Sequence, residues 1–128
     1  MVKWVDAFIL ATPDYHGSMA GSMKNFLDYF WSEFGSKLFR YICSSHEKGL
    51  TVMDQLRTAV RQYYGWNMSY GISINGEKDF GSSGNLTNNM LLQRMQMLSR
   101  DIVVYGKLQR NQFLDDIHSN EIHTFAYH

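Results

Sequence analysis

Short apolar runs alternate with amphipathic helical segments along most of this 128-residue chain. No other feature narrows its fold as far. Val5 to Ala11 is a nearly continuous apolar run, as expected of a strand covered on both faces, with Asp6 near its start where a strand still meets solvent. A helix is predicted from Ser18 or Ser22, either serine serving as N-cap. Met19, Met23, Phe26, Leu27, Phe30 and Phe34 form its apolar face, and Gly35 ends it.

Leu38 to Cys43 reads as the next strand, and Ser44 to Gly49 as the loop at its carboxyl end. A second helix follows over Leu50 to Tyr64, with Val52, Leu56, Ala59, Val60 and Tyr63 inward and Gly65 as the stop. Met68 to Ile74 is predicted as a third strand, Gly76 to Asn85 as a loop, and Leu86 to about Val104 as a long helix. That helix directs Met90, Leu91, Met95, Leu98 and Ile102 inward, while Asn111 to His128 has only weak periodicity. The βαβαβα order predicts a parallel sheet with helices on its faces, in one domain spanning residues 1–128.

In open α/β sheets ligands bind beyond the carboxyl ends of strands, where helix N-termini also present free N–H groups. The segment in that place is Thr12-Pro13-Asp14-Tyr15-His16-Gly17-Ser18, followed by Met23, Lys24, Asn25, Leu27 and Asp28. It resembles the NAD(P)H-dependent FMN reductase family, which carries Thr-Pro-Glu-Tyr-Asn-Gly-Ser and then Leu-Lys-Asn-x-Leu-Asp. Asp14 replaces the usual Glu and keeps its charge; His16 replaces the usual Asn and alters the hydrogen-bonding geometry there.

The resemblance implies a flavodoxin-like three-layer sandwich. It implies that Pro13, Asp14, Tyr15, His16, Gly17 and Ser18 wrap the isoalloxazine ring of FMN, largely through main-chain groups. The next loop, with Ser44, Ser45, His46 and Gly49, passes the other side of the ring. NADPH or NADH would deliver a hydride to the flavin, which then reduces a small acceptor: free flavin, a quinone, an azo compound or a metal ion. No side chain is needed as acid or base. A homodimer is also implied, with Tyr29, Trp31, Tyr63 and Tyr64 available for its contact or for packing on their own sheet.

The family's phosphate loop, Gly-Ser-x-Arg-x-x-Ser, has no counterpart here; Gly81-Ser82-Ser83-Gly84 lacks the arginine. The chain is therefore expected to hold the ring without that loop, on a parallel sheet N-terminally truncated to about three strands. In the family's strand order 2-1-3-4-5 this leaves an edge open to pairing. A fragment or truncated product of a longer reductase is the first reading, and a divergent protein with a differently covered edge the other. The competing functional reading is a flavodoxin-like interaction domain without flavin or catalysis.

Other classes fit less well. Twelve basic against twelve acidic residues give no net charge, which speaks against a nucleic-acid partner. No apolar run approaches the ~20 residues of a membrane helix, and the start lacks a signal-peptide pattern. The lone Cys43 sits in an apolar run and fits a reducing, cytoplasmic setting. Histidines 118, 123 and 128 fall five apart, without the spacing of a helical metal pair.

Overall fold

The computed structural model describes residues 2–127. Its strands are β1 (Ala7–Tyr15), β2 (Ser18–Met19), β3 (Leu38–Ser44), β4 (Trp66–Asn67) and β5 (Ile72–Ile74). Its α-helices are α1 (Gly21–Asp28), α2 (Leu50–Gln62) and α3 (Asn89–His118), with single 3-10 turns at Val2–Trp4, Ser32–Phe34 and Phe125–Tyr127. The sheet order is β2-β1-β3-β4, with β5 also on β3. β3 pairs in parallel with β1, β4 and β5. The architecture is thus the expected α/β sandwich, with three parallel strand lines, the third of them split.

Side-chain alternation assigns the two faces. Leu10, Phe39, Tyr41 and Cys43 meet Leu27 of α1 and Val52, Met53, Leu56 and Val60 of α2 in one continuous core. On the other face, Ile42, Ile72 and Ile74 pack with Leu91, Met95 and Leu98 of α3. Phe8 stacks on Phe39 with ring centroids 5.1 Å apart, and Phe34 stands edge-on to both.

Several boundaries depart from the sequence expectation for local reasons. The first strand continues through Thr12 and Pro13 to Tyr15, because its parallel register with β3 holds as far as Pro13 opposite Ser44. Pro13 is tolerated where the outer side of β1 carries no ladder, since β2 pairs only Asp14 and Tyr15. Neither Ser18 nor Ser22 caps the next helix; Ser18 lies in β2, and Ala20 is the N-cap without a side-chain bond. That helix stops at Asp28, so Phe34 reaches the core from the separate turn at Ser32–Phe34.

At the end of α2, the left-handed residue is Tyr64 (φ 59°) rather than Gly65, and Tyr63 is buried in the core. The third strand breaks between Asn67 and Ile72. The last helix is capped by Asn88, whose Oδ1 accepts from Leu91 N at 3.1 Å, and it continues through the weakly periodic tail to His118. Met90 points to solvent, not inward. Among the described residues, the outer side of β1 is paired only at Asp14 and Tyr15, by β2.

Candidate functional site

The chain reverses sharply at the carboxyl end of β1. Asp14 faces Met19 and Tyr15 faces Ser18 across an antiparallel pair, leaving His16 and Gly17 as a two-residue turn. Both central residues have positive φ, 56° and 76°. This is the backbone combination of a primed hairpin turn, which matches the twist of the flanking strands. Histidine is among the few non-glycine residues enriched there, after asparagine and aspartate. His16 in place of Asn thus keeps the turn while changing the group it displays.

Side-chain bonds lock this hairpin to the rest of the molecule. Thr12 Oγ1 accepts from Ala20 N at 3.0 Å, closing its base. Asp14 Oδ1 accepts from Gly17 N at 2.8 Å, and its Oδ2 accepts from Ser45 Oγ at 3.0 Å. Gln55 Oε1, reaching up from α2, accepts from Met19 N at 3.0 Å and Ser18 Oγ at 3.2 Å. The two carboxyl-end segments expected from sequence are therefore adjacent and cross-braced. Asp14 and Ser45 spend their side chains on that brace.

The second segment is shaped by Gly49. It holds φ 58°, and a Cβ there would lie 2.6 Å from Cys43 Sγ. Only glycine avoids both the strain and the collision. Gly49 is also the N-cap of α2 and supplies no side-chain bond, so the first N–H groups of this helix remain at the carboxyl end of the sheet. Ser45 Oγ accepts from Glu47 N at 3.2 Å, and Ser45 N donates to Ile74 O at 2.9 Å. Burial, and to a smaller degree the Asp14 carboxylate, push the Cys43 thiol up from its ordinary pKa. Cys43 is thus a packing residue beneath the loop.

A third segment completes this end. Asn75 Nδ2 donates to His46 O at 3.1 Å, and Ser73 Oγ donates to Glu47 O at 3.4 Å. Asp79 Oδ2 accepts from Asn75 N and its Oδ1 from Asn88 Nδ2, each at 2.7 Å. These bonds, led by the Asn75 amide, hold the Asp79 carboxyl below the usual range. Tyr15, His16, Gly17, Ser44, His46 and Lys48 are exposed; Pro13 and Ser18 are half-buried. Gln55 and Asn75 went unnoticed in the sequence, where a polar residue on a helix or strand end carries no mark of its distant partner.

The family model for NADPH-dependent FMN reductase matches residues 1–78, which include every one of these loops up to Asn75. The chain belongs to this family. An NADPH azoreductase from Bacillus sp. (strain OY1-2) is 50% identical over 32 residues, covering 25% of this chain and 18% of the azoreductase. The match thus spans less than a fifth of that relative. Among solved structures, a flavodoxin, WrbA-like protein from Agrobacterium tumefaciens superposes with a TM-score of 0.66 at 17% identity, over 86% of this chain and 69% of that one. An oxidoreductase from Corynebacterium diphtheriae gives 0.55 at 20% identity, over 65% and 47%. Both likenesses show the flavodoxin-like fold.

The donor set suits a flavin ring. Asp14, the one carboxylate in the hairpin, is tied to Gly17 N and Ser45 Oγ. What the two segments offer outward is main chain, small polar groups and the exposed ring of Tyr15, 62% accessible, together with the exposed side chains of His16, His46, Glu47 and Lys48. Glycine and serine with an arginine, the phosphate-loop composition of the family, do not occur together in any of these loops.

Proposed function

We propose that this chain holds the isoalloxazine ring of FMN between Pro13–Ser18 and Ser44–Gly49 and acts as the ring-binding part of an NAD(P)H-dependent FMN reductase. The observation that carries this reading is the Asp14–Ser45 bond at 3.0 Å, which fixes the two loops side by side. Bound flavin would supply the hydride chemistry, taken from NADPH or NADH and passed to a small acceptor. The residues' part is to bind and orient. Tyr15 offers a stacking face, the α2 N-terminus offers N–H donors, and Gln55 keeps the hairpin upright over α2. The azoreductase relative makes azo compounds the first acceptors to try, ahead of free flavin, quinones and metal ions.

A homodimer fits the exposure of Tyr29, Trp31 and Tyr64 on the surface beside α1 and α2. Among the described residues no helix is long and apolar enough to cross a membrane. The interaction-domain reading has one observation of its own, the largely unpaired outer side of β1.

An absorption titration with FMN, followed by NADPH, tests the proposal. A saturable shift of the flavin bands that bleaches with NADPH is the expected result. A folded sample that leaves FMN unbound would return the chain to the interaction-domain reading. Gly17→Val should abolish binding through the turn: a Cβ there meets no atom within 4 Å, but the branched side chain cannot hold φ 76° without strain. Unchanged binding would remove the hairpin from the site.

A further inference from the structure

Arg40 explains the break in the third strand line and points to a second site. It is only 1% exposed. A buried cation is tolerated when its charge is paired and its donors are used. Nη2 donates to Asp101 Oδ2 at 3.2 Å, Nε is 2.8 Å from Met68 Sδ, and the guanidinium carbon lies 4.1 Å from the centre of the Tyr70 ring. The segment between β4 and β5 thus leaves the ladder to wrap this side chain. Nη1 is buried and has no hydrogen-bond partner among the described residues.

Asp101 does not neutralise the cluster. Its other oxygen is 2.7 Å from Arg100 Nη1, so one carboxylate serves two guanidinium groups. Arg100 is two-thirds exposed and meets water, so what is left over inside is one strong donor, Arg40 Nη1. Beside them lies a groove of about 600 Å³ between β4 and α3, within the size range of small-molecule sites. Its lining includes Arg40, Asp101, Trp66, Ser69, Tyr105 and Gln109. Trp66 and Tyr105 are each 47% exposed and offer aromatic surface. Ser69 and Gln109 add neutral polar groups.

An unused guanidinium donor asks for an acceptor, which a carboxylate supplies most strongly, and the aromatic lining asks for a flat apolar body. We propose that this groove binds a small aromatic carboxylate, its carboxylate accepting from Arg40 and its ring lying against Trp66 and Tyr105. The groove is at the amino half of β3, away from the flavin loops, and this inference stands independently of them. Nη1 is covered in this structure, so a ligand reaches it by displacing part of the lining.

Benzoate is the probe, with benzyl alcohol as its neutral counterpart, both followed by amide and indole NMR shifts at constant ionic strength. Benzoate should move the Trp66 indole, Ser69 and Gln109 signals saturably, and bind roughly tenfold or more tightly than benzyl alcohol, as a charge-assisted bond requires. Tyr105→Ala, a surface change, should weaken benzoate binding several-fold. Arg40→Lys should remove the preference for benzoate, in a sample whose spectrum shows it folded. If Arg40→Lys fails to fold, the other two comparisons decide. Equal affinity for the two probes, no saturable shift, or unchanged binding in Tyr105→Ala would overturn the assignment.

Discussion

The two faces of the sheet are built differently. On the α1 and α2 face, aromatic and aliphatic side chains form one dry core that includes Phe34, Phe39, Tyr41 and Leu56, each with no exposed surface. On the α3 face the apolar contact is thinner: Leu91, Leu98 and Ile72 cluster at one end, Ile102 and Gly106 are buried further along, and the charged Arg40 and Asp101 take part of the interior. Val103 and Leu108 of α3 remain more than half exposed. The first face holds the fold and seats both carboxyl-end loops. The second gives up core area for a polar cluster, which is the more costly way to fill an interior.

Substitutions can break or sharpen that contrast. The largest loss is expected from Leu56→Ala, about 4 kcal/mol in urea unfolding, because its surroundings are closed on all sides. Gly49→Ala should follow at about 3 kcal/mol, combining left-handed strain with overpacking against Cys43. Leu98→Ala is expected to cost less, about 2–3 kcal/mol, since the thinner α3 face can settle into the gap. Equal losses at positions 56 and 98 would erase the difference between the faces.

Asp79→Asn should cost about 1–2 kcal/mol by weakening two charge-assisted bonds. Its pH dependence has a definite sign. Asp79 titrates below the ordinary carboxylate value in the folded chain. Its contribution is therefore complete above the unfolded value of about 3.9 and fades as pH falls through the lower folded value. Unfolding midpoints measured from pH 6 downward should show a steeper acid loss in the parent chain than in Asp79→Asn. The smallest effect is expected from His16→Asn, within about 0.5 kcal/mol, as both residues accept a positive φ. A large loss there would mean that the imidazole makes a contact the turn does not require.

The α/β class and both central elements, β3 and α2, were legible from apolar runs and helical spacing, because those residues pack where periodicity says they should. The hairpin was not. Thr12-Pro13-Asp14-Tyr15 has the composition of a loop, and its strand conformation comes from pairing: Thr12 and Pro13 with β3, distant in sequence, and Asp14 and Tyr15 with β2. The split third strand was equally hidden, since it depends on Arg40 beneath Tyr70. The tail beyond Val104 continues α3 without a regular apolar stripe, its ties to the sheet being the close approach of Gly106 to Ala7 and the Arg110–Asp6 ion pair. Of the candidate site, the residues of both loops are legible in the sequence as segments at the carboxyl ends of strands. Their connection is not: nothing local in Asp14 or Ser45 announces the other.

That connection has a mechanical meaning. Because a single carboxylate grips the tip of the hairpin with one oxygen and the neighbouring loop with the other, the two loops cannot drift apart independently. Their relative position is set during folding, so the ordering cost of any binding there would already have been met, and a disturbance at one loop is felt at the other. The Glu47 amide, bonded to the same Ser45 hydroxyl, should therefore respond to events at His16, although the two share no direct contact in the hydrogen-bond network.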